Sequence, residues 1–544
     1  MNEINKSITI YQLMEKFVNQ FPNRKMIKFI EFEKEYSYKE FNDMVIKAYN
    51  ALIAMGVCRG HHVGLWMDNI EEWYILFFAI NKLGGIVVPI NTSFKSNEMD
   101  KIIKKFDIDY LFMTEGYDRK YPEHIEKIIP NMKVPSAQYS RLKCIITIGF
   151  CCDNCISYDD FMKICRNNYE ESTVEYDSND DVCVILPTSG TTGMPKGVEL
   201  TNYQLIQNGF DIGERYQLTP HDKMLIQVPM FHCFGITLSM LSSLTHGTSM
   251  YIVRHFNPKV ALGAIEGEKL TCMNGVPTMY SAIINHPEFN CYDISSLKKG
   301  IMAGSNCYPE FMEEVSKLFE MTVISVYGLS EASPGCTMSS VSDGKKIRYE
   351  TVGRNLPEVE CKIINPNTGK ECEIGEQGEF VVRGYNVMQG YYNNSSLTES
   401  VIDQEGYLHT GDIAKKRSDG TYEITGRIKD TIIRGGENIY PKEVSMILNQ
   451  CPGVIDSCVF GVEDSKFGQE VMACIIINGE ITIEEIRCFM KNYGCASYKI
   501  PRYIMIVDDF IKNAAGKIQL GKMSKVYSKK IGVDKSKNTV LEFI

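Results

Sequence analysis

Several features that would assign this chain to a broad class are scarce or missing. Its longest apolar stretch, WYILFFAI from Trp73, falls far short of the ~20 residues that cross a bilayer, so no integral membrane segment is expected. The amino-terminal MNEINKSITIYQLMEKFVNQ lacks an apolar secretory core and carries acidic residues, which points to a cytoplasmic protein. A basic excess is missing too: 58 Lys and Arg face 68 Asp and Glu, a formal net charge of −10. That balance argues against a general nucleic-acid binder, although a local site can still oppose the global sign. Cysteine is present, 19 in 544 residues, but well under the ~8–10% of a disulfide scaffold. Most cysteines sit alone in apolar runs, as thiols do in a reducing compartment. The cluster Cys151, Cys152 and Cys155 in CCDNC has no second ligand pair nearby and reads as a surface loop rather than a metal or redox site.

What is there is an ordinary globular composition, 44% hydrophobic and 23% charged, in a chain too long for one core. Helical and strand patterns alternate, which predicts an α/β fold. YKEFNDMVIKAYNALIAMG predicts a helix stopping at Gly56, HVGLWM a strand, EEWYILFFAINKLGG a second helix and IVVPI a second strand. The character changes at 426–443, GRIKDTIIRGGENIYPKE, where glycines, charges and a proline interrupt the pattern. Pro441 suits the first turn of a helix continuing through Val444, Ile447 and Leu448. Beyond it SCVFGV and VMACIIIN read as strands. The boundary is therefore expected at Lys429, dividing residues 1–428 from 429–544. From about Lys522 six Lys face two acids, and a frayed tail is expected.

The chemistry concentrates in TSGTTGMPKG, residues 188–197. It follows Val182-Cys183-Val184-Ile185-Leu186, a buried-strand pattern, and precedes Val198-Glu199-Leu200, which reads as another strand. Glycines let backbone N–H groups converge on an anion without Cβ atoms in the way. The hydroxyls of Thr188, Ser189, Thr191 and Thr192 add donors and Lys196 a full charge. Together they suit a polyphosphate. A Walker A loop would need Gly-Lys-Ser/Thr running into a helix, and that pattern is absent here. On composition alone the run is equally a flexible hairpin tip.

TSGTTGMPKG resembles the phosphate loop of the adenylate-forming superfamily, and further motifs follow in that family's order. These are MFHCFG, NGVPTMY, VYGLSE, YLHTGD, GRIKD, RGGENIYPKEV and NAAGK. The resemblance spans roughly residues 10–525 and is closest to the acyl-CoA synthetase branch. It implies a large N-terminal domain of α/β subdomains with mixed sheets and a small barrel-like part, plus a small mobile α+β C-terminal domain. It also implies a reaction. A small-molecule carboxylic acid attacks the α-phosphate of ATP, pyrophosphate leaves, and a thiol displaces AMP from the acyl-adenylate. Coenzyme A, or the phosphopantetheine of a separate acyl-carrier protein, would supply the thiol, and Mg²⁺ would assist.

By the same resemblance Ser189, Gly190, Thr191, Thr192, Gly193 and Lys196 would hold phosphates, with Thr188 at the loop's base. Tyr327 would stack on adenine beside Gly328 and Ser330. Glu331 would hold the metal, and Asp412 would accept from both ribose hydroxyls. Arg427 would contact the nucleotide. Lys429 would be a hinge, Lys517 would bridge carboxylate and α-phosphate, and Gly435 and Gly436 would line the thiol's approach. His232 is equally an aromatic gate or a satisfied core group. It would line the acyl pocket with Phe234, Gly235, Val276, Gly304, Ser305, Asn306 and Leu329, where Gly235, Gly304 and Gly328 would leave room. Three motifs depart from the usual pattern: Ser330 stands for Thr, Ser305-Asn306-Cys307 for Ala-Pro-Leu, and Ala514 for Pro. A paralogue that binds nucleotide without catalysis is the alternative from another class.

Overall fold

A computed structural model of the chain describes residues 6–164, 181–188, 195–305, 307–512 and 518–531. The phosphate-loop residues Ser189, Gly190, Thr191, Thr192 and Gly193, together with Asn306 and Lys517, lie outside them. Packing divides the chain into two units, Met1–Glu360 with Val382–Leu408, and Cys361–Val381 with His409–Ile544. The second unit by packing resumes at His409, ahead of Lys429.

The first unit holds two sheets. One has nine strands; from Lys25–Phe29 to Thr322–Gly328 its interior pairs are parallel, and antiparallel strands close both edges. The other has eight strands, from Gly390–Tyr391 at one edge through Lys196–Thr201 and Val182–Thr188 to Ile156–Ser157. Parallel strands are buried on both faces and so read as continuous apolar runs. His62–Trp66 fits this, with every residue buried. The helices Tyr38–Ala54 and Glu71–Leu83 form where spacing predicts them. Gly84 ends the second in the left-handed conformation, which glycine adopts without a Cβ penalty.

In the second unit the barrel-like part takes the form of a four-stranded sheet, ordered Val359–Ile364, Gln377–Gly384, Leu408–Lys416, Tyr422–Arg427. A further sheet carries the long antiparallel pair Val454–Asp464 and Gly468–Ile477. Strand alternation sends Val459, Val471, Ala473 and Ile475 to one face, against Val444, Leu448 and Ile486. Cys458, Phe460, Met472 and Cys474 go to the other, against Phe510 and Met523. That second face corrects the expectation of a frayed tail for residues 522–531: Leu520–Ile531 is helical and Met523 is fully buried, while 532–544 lie outside the described residues. The lysines dominate the composition, but an apolar stripe fixes the helix. Among the described residues no helix is long and apolar enough to cross a membrane, every cysteine is free, and no group of three His, Cys, Asp or Glu could hold a metal.

One buried acid links the first unit's stability to pH. Asp211, on the helix Asn202–Tyr216, accepts from the Tyr385 hydroxyl and from Gln207 Nε2. Burial pushes its carboxyl up to about 6. A raised acid contributes stability below its unfolded value and loses it as pH rises through the folded one. Wild type should therefore lose up to about 3 kcal/mol relative to Asp211→Asn between pH ~4 and ~6. Urea unfolding of the two proteins across that range checks it; parallel curves would refute it.

Candidate active site

The strands Val182–Thr188 and Lys196–Thr201 pair antiparallel, with Thr188 directly opposite Lys196. Thr188 and Lys196 thus end a rigid antiparallel ladder, and the glycine-rich residues 189–194 that join them lie outside the described residues. Thr188 Oγ donates to the Lys196 carbonyl at 3.4 Å. Gly197 is demanded by packing, since a Cβ there would lie 2.5 Å from the Phe106 ring and 2.8 Å from Ile185. Thr201 then caps the following helix, in a capping box with Gln204. The hairpin is anchored at both ends.

A second segment, residues 386–392, is stitched along this hairpin. Gly390 and Tyr391 pair antiparallel with Glu199 and Val198. The Gln389 N–H donates to Glu199 O at 3.1 Å, and the Tyr392 N–H to Gly197 O at 2.8 Å. The same strap is tied to the turn carrying Glu331. The Met388 N–H donates to Glu331 O at 2.9 Å. Ser333 Oγ donates to Asn386 O at 2.7 Å, and Asn386 Nδ2 to Gly335 O at 2.9 Å.

At the centre of the strap, Tyr391 touches both charged candidates. Its hydroxyl donates to Glu331 Oε1 at 2.8 Å, and Lys196 Nζ lies 4.8 Å from its ring centroid. Burial and the adjacent Glu331 carboxylate push the phenol far above its ordinary value, so it stays protonated and donates to Glu331. The geometry therefore joins Lys196, Tyr391 and Glu331. Nothing in the sequence marks Tyr391, since a tyrosine in GYY beside no charged residue looks like core.

Glu331 lies in a 3₁₀ turn, Ser330–Ala332, that follows strand Thr322–Gly328. Gly328 does not open a pocket there, as was expected of it. A Cβ on it would fall 1.6 Å from Pro334 O, because the chain doubles back on itself. Gly235 is corrected likewise: Pro229 O would lie 2.5 Å from its Cβ. Gly304 has φ +86°, so its glycine serves the backbone turn. Tyr327 is buried, Leu329 is half-buried, and Ser305 is exposed after strand Lys299–Ala303.

His232 is half-buried, and its Nδ1 accepts from the Phe234 N–H at 3.2 Å. The ring thus braces the start of the buried segment Phe234–Leu241. Cys233 Sγ lies 3.6 Å from Ser330 Oγ, which brings this segment to the Glu331 turn. Asn274 Nδ2 donates to Leu238 O at 3.1 Å. This ties the same segment to strand Cys272–Gly275, after which Val276 is buried.

The donors around Glu331 suit a divalent ion. Mg²⁺ keeps several waters and binds through one or two carboxylates plus substrate phosphates. A single carboxylate beside a phosphate hairpin fits that requirement.

In the second unit Asp412 and Arg427 face each other across strands Leu408–Lys416 and Tyr422–Arg427. Arg427 Nε lies 2.7 Å from Asp412 Oδ1, with Asp412 buried and Arg427 half exposed. A buried acid the sequence did not flag, Glu379, shapes this loop. It accepts from the Gly411 N–H at 3.0 Å and contacts His409 Nδ1 at 2.9 Å. Lys429 is exposed in the short turn Ile428–Asp430. Gly435 and Gly436, at φ +60° and +90°, form the two-residue link between Arg434 and Glu437. A type I′ hairpin turn needs positive φ at both positions. The Cys152 and Cys155 thiols both rest on Met132 Sδ, at 3.4 and 3.6 Å. They pack as apolar groups, in line with the surface-loop reading over a metal site.

Gly328→Ala should cost about 3 kcal/mol or more, because backbone rather than a pliant side chain must yield. Urea unfolding measures this, and a midpoint equal to wild type would contradict the close approach.

Comparison with known proteins follows the same order of segments. The AMP-binding enzyme family matches residues 14–392, and the AMP-binding enzyme C-terminal domain matches 443–517. YngI of Bacillus subtilis (strain 168), whose name assigns it to the acyl-CoA synthetases, is 39% identical over 529 residues, covering 95% of this chain and 96% of its own. Human ACSF2, a mitochondrial medium-chain acyl-CoA ligase, is 31% identical over 536 residues, covering 95% and 87%. The ATP-bound crystal structure of MatB from Rhodopseudomonas palustris superimposes with a TM-score of 0.84 at 25% identity, covering 96% of this chain and all of that one. The chain belongs to the AMP-binding enzyme family of adenylate-forming enzymes, on its acyl-CoA synthetase branch.

Proposed function

We propose that this ATP-dependent acid–thiol ligase activates a medium-chain or fatty carboxylic acid as its acyl-adenylate and delivers it to coenzyme A. The observation that carries the reading is the Lys196–Tyr391–Glu331 arrangement at the base of the phosphate hairpin. Carboxylate attack on a triphosphate brings two anions together, so fixed positive charge beside the phosphates is the main requirement. Lys196 would supply part of it. Glu331 would hold Mg²⁺, which supplies further charge neutralisation at the phosphate oxygens. The chain-length class rests on relatives such as human ACSF2, named for medium-chain acids.

The remaining roles follow the family pattern. Asp412, held by Arg427, would accept from the ribose hydroxyls, and Tyr327 would pack against adenine. Lys517 would bridge acid and α-phosphate. The segment after Lys429 would turn between half-reactions, presenting Lys517 in the first and the Gly435–Gly436 turn in the second. His232, Phe234, Gly235, Val276, Gly304, Ser305, Asn306 and Leu329 would border the acid. Free described cysteines suit a cytoplasmic setting.

The test is acid-dependent exchange of labelled pyrophosphate into ATP, screened over short, medium, long and aromatic acids. Thioester formation is then compared with free coenzyme A and with a carrier protein. Medium or long acids should drive exchange, and free coenzyme A should accept the acyl group. Lys517→Ala should lower exchange by on the order of 100-fold or more while sparing ATP binding. Failure of every acid to drive exchange would favour the non-catalytic paralogue, and thioester on the carrier alone would reassign the acceptor.

A further inference from the structure

Lys196 and Glu331 carry opposite charges, and both are tied to the strap at residues 386–392. Two such groups on adjoining elements ordinarily close into an ion pair, which would neutralise the two charges a magnesium–triphosphate site needs. Among the described residues they form no ion pair with one another. Tyr391 contacts both, with the Lys196 ammonium 4.8 Å from its ring centroid and its hydroxyl donating to Glu331 Oε1 at 2.8 Å.

We propose that Tyr391 is a positioning residue whose phenol keeps the ammonium and the carboxylate apart, so that each can exchange its contact with tyrosine for phosphate or metal. The inference rests on the roles given above to Lys196 and Glu331. The aromatic face attracts an ammonium without removing its charge. The hydroxyl fixes one carboxylate oxygen and leaves the orientation of the group set for a cation, as outer-sphere partners of metal ligands do. The strap makes the placement rigid. Tyr391 is held in register opposite Val198, its own N–H donates to Thr398 Oγ at 2.9 Å, and the Met388 and Asn386 contacts tie the same strap to the Glu331 turn. The ladder fixes the Tyr391 backbone, and burial of the side chain limits where its ring can turn.

Two variants separate the functions of the phenol. Tyr391→Phe keeps the ring and removes the hydroxyl. Its half-saturating Mg²⁺ in pyrophosphate exchange should rise about tenfold or more, while the KM for ATP at saturating Mg²⁺ stays within about twofold, since the ring face that Lys196 contacts is retained. Tyr391→Leu removes the spacer, and both constants should rise about tenfold or more as Lys196 and Glu331 pair. Binding of Mn²⁺ with α,β-methylene-ATP, followed by electron paramagnetic resonance, should weaken in parallel without turnover. In a Glu331→Gln background the Tyr391→Phe change should add nothing to the loss of Mn²⁺ affinity.

Wild-type metal constants in Tyr391→Phe, with only a lowered unfolding temperature, would overturn the spacer and reduce Tyr391 to a core residue. Full additivity with Glu331→Gln would overturn it as well. Should the wild-type protein itself neither exchange pyrophosphate nor bind the Mn²⁺ complex, the functional reading fails first and the spacer with it.

Discussion

The first unit's site depends on one electrostatic constraint: a cation and an anion must stay close without annulling each other. A triphosphate needs positive charge around it, and a divalent ion bound to that triphosphate needs a carboxylate. Left to themselves, lysine and glutamate pair. The fold answers with backbone. A hairpin, a doubled-back turn and a strap are hydrogen-bonded to one another, and the Tyr391 phenol contacts both charges, ring to Lys196 and hydroxyl to Glu331. The tight places around them serve the same end. Gly197 lets the hairpin pass Phe106, and Gly328 lets the Glu331 turn fold back onto Pro334.

The second unit solves a related problem with a buried acid. Glu379 holds the loop of residues 409–412 through the Gly411 amide and His409, and Asp412 faces Arg427 across the sheet. Asp412 is buried while its partner Arg427 is half exposed, so the pair places a fixed carboxylate beside a guanidinium that reaches solvent. The Gly435–Gly436 turn owes its composition to hairpin geometry, whatever it contacts in addition.

How much of this was legible beforehand depends on how far apart in sequence the decisive partners lie. Strand–loop–strand chemistry around residues 182–201 is local, and the hairpin forms where the pattern put it. The helices Tyr38–Ala54, Glu71–Leu83 and Pro441–Leu448 were equally readable from spacing and from Pro441 at the first turn. Tyr391 was not, because its meaning comes from pairing with Val198, nearly two hundred positions earlier, and nothing near residue 391 announces that register. Glu379 was missed for the same reason. The glycines at 235 and 328 were misread as pocket space because composition shows where a side chain is lacking but not what fills the gap; here it is the chain's own backbone. The lysine-rich end was misread because charge masked the stripe that seats Met523.

The most direct measurement is a crystal structure with Mg²⁺ and α,β-methylene-ATP. The account predicts Lys196 Nζ within about 3 Å of a phosphate oxygen and the metal between Glu331 and the triphosphate, with Tyr391 still paired beside Val198 and its ring between the two side chains. Lys196 and Glu331 bonded directly to each other in that complex, or a triphosphate bound away from the hairpin, would contradict it.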